Sequence, residues 1–387
     1  QEINYFNNFL TKNNLKKLFE CTKWNKEIPE LYEFIATVNA NDWDHLVYPL
    51  NKSLFSPFSI NNHQLKNRFV MAPMTRNFAP DGIPSEYAPE YYTKRAKGGV
   101  GLIITEGVEV SHPSSSGYPD VPGLKPKAHE GWRNVISQVH KYDSKIFCQL
   151  WHVGAIRKPG LPPEPEVPGF APSGLVRKDK KVAYEMTADD VENMIEIYVR
   201  DIEIIKDLGF DGVELHGAHG YLIDQFFWED TNQRKDGFGG SIQLRSSFAS
   251  EIIKRARAKV GNDFCIAIRF SQWKQQDYEA KLAKNQDDLE TLLRPLVDAG
   301  VDVIHASNRR FWEPEFEGSN LNLAGWTKKI TGLPTITVGS VGLESDFIGF
   351  YQGEDEVKSA PIDDLVKRMD DKEFDMVAVG RALLSDP

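Results

Sequence analysis

Eight short apolar runs recur along the chain, and their spacing restricts its fold more than any other property of the sequence. They are RFVMAPMT (68–75), GVGLIITEG (99–107), KIFCQLWH (145–152), FDGVELHG (210–217), DFCIAIRFS (263–271), VDVIHASN (301–308), PTITVGSV (334–341) and FDMVAVGR (374–381). Each is of strand length and rich in Val, Ile or Phe. Their apolar residues are mostly continuous rather than alternating, as expected of parallel strands buried on both faces.

Helical patterns lie between the runs. The clearest is TADDVENMIEIYVRDIEIIKDLG, 187–209. Thr187 reads as its N-cap with Asp190 three residues on, and Gly209 as its C′ residue. Val191, Met194, Ile195, Tyr198, Ile202, Ile205 and Leu208 form its apolar stripe. A second helix runs through DDLETLLRPLVDAG, where Pro295 requires a kink or a late start. Strand and helix in eightfold alternation predict a (β/α)8 TIM barrel of class α/β with right-handed crossovers. An open doubly wound sheet is the structural alternative, but it would normally place a Gly-rich turn after its first strand, and MAPMTRN has none.

The barrel is expected over 46–387. Residues 1–45 read as an extra N-terminal helical segment around NNLKKLFE and IPELYEFIATVNA, expected to pack over the barrel's N-terminal end or the flank of its eighth strand. The chain's last residues, GRALLSDP, fall where an eighth helix should begin, so the barrel is expected to end before that helix.

A net charge of −10 argues against a broad nucleic-acid surface. No apolar run approaches membrane-spanning length. The polar, Lys-bearing start has no signal-peptide core, so a cytoplasmic location is expected. The three cysteines, Cys21, Cys148 and Cys265, have neither zinc nor redox spacing.

In a TIM barrel the C-terminal strand ends converge on one mouth. Those ends supply Thr75, Glu106, Gly107, Gln149, Trp151, His152, His216, His219, Tyr221, Arg269, His305, Ser307, Gly339, Ser340, Gly380 and Arg381. No carboxylate pair is placed for glycoside hydrolysis, and no strand interior offers a Schiff-base lysine. The stretch HGAHGY (216–221) admits metal ligation, with His152 and His305 as further ligands, or a catalytic set, or packing. Metal hydrolysis lacks the acidic neighbour such a site usually has. Strands seven and eight end in TVGSVG and VAVGRALL, where small residues, a following helix N-terminus and Arg381 suit a phosphate. Gln149 can donate to and accept from a uracil-like edge. Arg269 is costly to bury without an anion. A phosphorylated heterocycle that becomes anionic in turnover fits both, and flavin mononucleotide (FMN) has that character.

On NRFVMAPMTR, QLWHVG, GVELHGAHGYLIDQF and NQRKDGFGGSIQLRSSF, with TITVGSVG and VAVGRALLSDP in order after them, the chain resembles the old yellow enzyme family of FMN-dependent ene-reductases. The resemblance runs from residue 53 to the chain's last residues. It implies non-covalently bound FMN, held by Pro73, Met74 and Thr75 at the ring, Gly107 against it, and Gln149 at the pyrimidine edge. Arg269 would stand near N1 and O2, with Gly339, Ser340, Gly380 and Arg381 at the phosphate. It also implies His216 and His219 on the oxygen of an activated alkene, Tyr221 as proton donor, and Trp151 lining the substrate side. NADPH or NADH would be the hydride donor, and α,β-unsaturated carbonyl or nitro compounds the acceptors, in ping-pong order. Arg234 or Arg245 is expected to anchor the NQRKDGFGGS loop. Residues 1–45 have no counterpart in the family pattern, which leaves them for homo-oligomer or partner contact. Competing readings are a metal-dependent barrel hydrolase and a non-catalytic flavin-binding protein. The absence of closely spaced cysteines excludes an iron–sulfur branch for these residues.

Overall fold

The computed structural model describes residues 53–160, 164–344 and 358–387, and all eight apolar runs become strands of one closed parallel barrel. A hairpin comes first, β1 (Phe58–Ile60) and β2 (His63–Leu65). The barrel strands follow as β3 (Phe69–Met71), β4 (Leu102–Glu109) and β5 (Lys145–Trp151). An excursion then carries four short strands, β6 (Phe170–Ala171), β7 (Leu175–Arg177), β8 (Lys180–Lys181) and β9 (Tyr184–Glu185). The barrel resumes with β10 (Gly212–His219), β11 (Cys265–Lys274), β12 (Val303–Ser307), β13 (Thr335–Val338) and β14 (Met376–Val379). Pairing of β14 with β3 and of β5 with β10 closes the ring.

The strands are buried along nearly their whole length, which explains why their sequences run apolar without alternation. Inside the ring, Val70, Leu102, Ile104, Phe147, Cys265, Ala267, Val303, Ile336 and Met376 form a packed layer, not a pore. Ile60 and Leu65 of the hairpin belong to the same cluster and plug the barrel's lower end. Residues 1–45, expected there, lie outside the described residues.

Helices are α1 (Ala88–Lys97), α2 (His129–His140), α3 (Ala188–Leu208), α4 (Leu222–Phe227), α5 (Ile242–Arg245), α6 (Ser247–Val260), α7 (Gln286–Asp298), α8 (Leu323–Thr331), α9 (Asp363–Asp370) and α10 (Ala382–Ser385). At α3 the Thr187 hydroxyl accepts from the Asp190 amide, the Asp190 carboxylate accepts in return, and Gly209 adopts the left-handed cap. Such a cap contributes about 1 kcal/mol. Every residue of the predicted stripe is buried. Pro295 sits inside α7, so the helix neither starts late nor stops there. A four-residue α10 follows β14 within GRALLSDP. No described helix is long and apolar enough to cross a membrane.

Candidate active site

The HGAHGY stretch owes its geometry to a break in strand register. Residues 216 and 219 are three apart, so a regular strand would send them to opposite faces. The β10–β11 ladder pairs His216 with Arg269, then slips between Gly217 and His219. His219 takes a left-handed φ of 64° and Gly220 one of 80°. The left-handed φ at Gly220 favours glycine, and a Cβ there would also stand 2.0 Å from Gln276 Oε1, so that side chain would have to move. The turn is pinned from below, because the Asp224 carboxylate accepts from the Gly220 amide at 2.6 Å. Asp224 in turn pairs with Lys274 at 2.8 Å, and both side chains are fully buried.

The register slip gathers His216, His219 and Tyr221 at one place beside Trp151. The His216 ring stands edge-on to His219 at 5.2 Å and to Tyr221 at 4.8 Å. Trp151 meets Tyr221 edge-on at 5.1 Å and lies nearly parallel to His216 at 6.4 Å. Tyr118, not singled out by the sequence, stacks on Trp151 at 5.4 Å. Gly107 makes room for the indole, since a Cβ there would come within 2.5 Å of Trp151 Cε3.

The hydrogen-bond partners assign roles to the ring atoms. His216 Nδ1 accepts from the Ala218 amide at 3.4 Å, which leaves Nε2 to carry the hydrogen. His219 Nε2 is 2.8 Å from the Ser307 hydroxyl, and its ring stacks on Trp273 at 4.4 Å. Burial, with Arg269 close by, holds both imidazoles well below the ordinary histidine range, so they stay neutral. Burial likewise pushes the Tyr221 phenol above its usual value, with Tyr118 adding to the rise and Gln275 opposing it. Gln275 Nε2 donates to the Tyr221 oxygen at 2.7 Å.

A polar layer lies on the inward faces of β5, β10, β11 and β12. Gln149 Nε2 donates to Glu214 at 2.8 Å, and His305 Nδ1 donates to the other Glu214 oxygen at 2.7 Å. This orients the Gln149 amide and keeps its Oε1 for another partner. Arg269 donates to Ser307 at 3.0 Å, while its buried Nε has no hydrogen-bond partner among the described residues. Glu214 is the nearby negative charge that favours the Arg269 cation. Glu214 was not among the residues named from the sequence; its place emerges from the register, where Gln149 and Glu214, like Arg269 and His305, sit opposite each other in the ladders.

The remaining predicted residues border the same mouth. Pro73, Met74 and Thr75 form the loop after β3, with Thr75 exposed. Arg76 closes that loop onto Glu106 through a 2.8 Å hydrogen bond and a second ion-pair contact. Gly380 faces Met74, whose sulfur would lie 3.7 Å from a Cβ at that position. Gly339 and Ser340 form a positive-φ turn packed on Asn308 and Arg309. Among the described residues no helix starts directly after this turn, and only the four-residue α10 follows Gly380 and Arg381. Residues 345–357, where a helix following this turn would begin, lie outside the described residues.

His152 and His305 do not join the histidine pair. His152 Nδ1 accepts from the Gly154 amide, and its Nε2 meets Ser114 at 3.1 Å. His305 belongs to Glu214. Among the described residues no three His, Cys, Asp or Glu side chains are grouped to hold a metal ion. Both loop arginines are anchors: Arg234 reaches the Pro172 and Met186 carbonyls, and Arg245 reaches those of Phe227 and Gly240.

Residues 53–387 match the NADH:flavin oxidoreductase / NADH oxidase family. An NADH oxidase from Thermoanaerobacter brockii is 35% identical over 347 residues, covering 87% of this chain and 50% of that protein. The 12-oxophytodienoate reductase 2 of Arabidopsis thaliana is 34% identical over 229 residues, 56% of this chain and 60% of its own length. The chain thus spans about half the length of the curated relatives it matches. Among solved structures, the old yellow enzyme homologue from Zymomonas mobilis superimposes with a TM-score of 0.70 at 25% identity, covering 85% of this chain and 88% of its own.

Proposed function

The chain belongs to the NADH:flavin oxidoreductase / NADH oxidase family, in its old yellow enzyme branch, and from that premise we propose that it is an NAD(P)H-dependent FMN ene-reductase. Its substrates would be alkenes activated by a carbonyl or nitro group. The observation that carries this reading is the meeting of two neutral imidazoles and a protonated phenol around Trp151.

The residues fit FMN. Arg269 presents a buried Nε without a partner among the described residues, and Gln149 is oriented by Glu214 with Oε1 to spare. These two would hold the pyrimidine edge, with Arg269 beside the negative charge of the reduced ring. Pro73, Met74, Thr75 and Gly107 would border the ring, and Gly339, Ser340, Gly380 and Arg381 the phosphate. Bound FMN would supply the hydride chemistry, taking hydride from NADPH or NADH and giving it to the alkene β-carbon.

The protein supplies the rest. His216 and His219 would donate two hydrogen bonds to the substrate's carbonyl or nitro oxygen, where negative charge develops. A neutral imidazole suits this, because it donates without surrendering its proton. Trp151 and Tyr118, stacked on one another beside Tyr221, would line the substrate side. Tyr221 would deliver its proton to the α-carbon. Gln275 donates to the phenol oxygen, so it does not compete for the phenol hydrogen and would stabilise the oxyanion that remains.

Nothing in this cycle requires two substrates at once, so donor and alkene would alternate at one site. The test is optical. Purified protein should show a flavin absorption band that NADPH or NADH bleaches without oxygen. Colourless protein that takes up no FMN on reconstitution would defeat the proposal.

A further inference from the structure

Ser307, at the end of β12, touches both the cofactor-side arginine and a substrate-side histidine. Its Oγ lies 3.0 Å from the Arg269 guanidinium and 2.8 Å from His219 Nε2. It is almost fully buried, so water cannot substitute for either partner. Its carbonyl accepts from Trp273 Nε1 at 3.0 Å, and the Trp273 ring is the shelf on which His219 stacks.

The direction of the bonds follows from the inventory of donors. Arg269 has only N–H groups, so it must donate to Oγ. The serine then has one hydrogen to place, and His219 Nε2 is its one acceptor among the described residues. Nε2 must therefore be the bare nitrogen, and the ring hydrogen sits on Nδ1, which has no protein partner among the described residues. If Nε2–H pointed at Oγ instead, the buried hydroxyl hydrogen would have no acceptor. Leaving such a donor unsatisfied costs about 1–3 kcal/mol, which decides between the two tautomers.

The geometry points to Ser307 as a positioning residue that fixes His219 in its Nδ1–H form and wires it to Arg269. This inference rests on the ene-reductase reading and deepens it. The guanidinium that would face the reduced flavin polarises the serine O–H, and the serine in turn aims the histidine's hydrogen at the substrate oxygen. His216, set by the Ala218 amide, has the opposite tautomer, Nε2–H. The two rings therefore present different nitrogens to one oxygen.

Long-range proton–nitrogen-15 spectra of the flavin-loaded enzyme at neutral pH report the tautomer directly, with His219→Gln used for assignment. We expect a protonated Nδ1 and a bare Nε2 on His219. Ser307→Ala should shift the ring toward Nε2–H and lower kcat/KM for cyclohexenone about ten-fold or more. Ser307→Thr, which keeps the hydroxyl, should restore both signals. An Nε2-protonated His219 in the wild-type protein overturns the inference, as does an alanine variant with an unchanged nitrogen pattern. The wild-type measurement stands even if the alanine variant fails to fold. Protein that binds no flavin speaks against the functional reading instead, and the tautomer can still be read in that sample.

Discussion

Gly107 and Trp151 divide a single volume: a Cβ on Gly107 would stand 2.5 Å from the indole's Cε3. The two residues lie on neighbouring strands, Gly107 opposite Gln149 and Trp151 opposite Glu109. Gly107→Ala should therefore displace the indole and cost about 1–3 kcal/mol of stability by overpacking. Adding Trp151→Leu should recover at least half of that loss. Thermal denaturation of the two single variants and the double variant measures the coupling, and strictly additive effects would remove it.

The Asp224–Lys274 pair carries a different prediction, because both charges are fully buried beneath the histidine turn. Asp224→Ala leaves the buried Lys274 without its carboxylate partner, with only the Ser271 carbonyl to accept from it, and should cost about 3–5 kcal/mol. It also frees the Gly220 amide, so the HGAHGY turn should loosen. The Asp224→Asn and Lys274→Met double change should be much milder. Urea denaturation separates the two cases.

The pH profile of alkene reduction follows from the neutral histidines and the protonated tyrosine. His216 and His219 are held well below 6.5 and Tyr221 above 10. Turnover should therefore be flat from about pH 6.5 to 9.5, with no break from these groups. The histidine shifts also bear on stability. Below about pH 6.5 the unfolded chain takes up protons that the buried rings refuse, so the folded state loses stability as the pH falls. A histidine-like break near pH 6.5 in the alkene step of the wild type, absent from His216→Asn or His219→Asn, would contradict the assignment.

Asp201, inside α3, shows the opposite sign. Burial pushes its carboxyl up from 3.8 to about 6, against a 2.7 Å hydrogen bond from the Ser111 amide. Ionising it costs the folded state, so stability is lost as the pH rises from about 4 to 6 and stays lower above. Asp201→Asn keeps an acceptor for Ser111 and should raise stability at neutral pH by about 1–3 kcal/mol. The gain should vanish near pH 4. Melting temperatures across that range check it.

The barrel was legible because burial on both faces writes itself into a strand as a continuous apolar run. α3 was legible for a similar reason: capping and stripe are local properties of residues 187–209. The site was legible only in part. His216, His219 and Tyr221 could be named from the sequence, but their approach depends on the slip between Gly217 and His219. No apolar pattern encodes that slip. Its trace is the pair His219–Gly220, both left-handed, in a strand that a regular register would continue. The roles of Glu214, Ser307 and Gln275 were hidden for another reason. Each acts through a partner 38 to 88 residues away in these bonds, and those partnerships exist only once the barrel closes. Pro295 marks the limit of a local rule, since α7 carries it inside the helix.

The most direct test of the account separates the two half-reactions of the FMN-loaded protein under anaerobic conditions. The protein is first reduced with NADPH or NADH, and recovery of the flavin absorption band is then followed after adding cyclohexenone. The wild type should recover the band promptly. Tyr221→Phe should be bleached at nearly the wild-type rate yet recover about 10²–10⁴-fold more slowly, the range expected for losing a general acid. A Tyr221→Phe protein that recovers at the wild-type rate, or a wild type that the enone never reoxidises, would contradict the account.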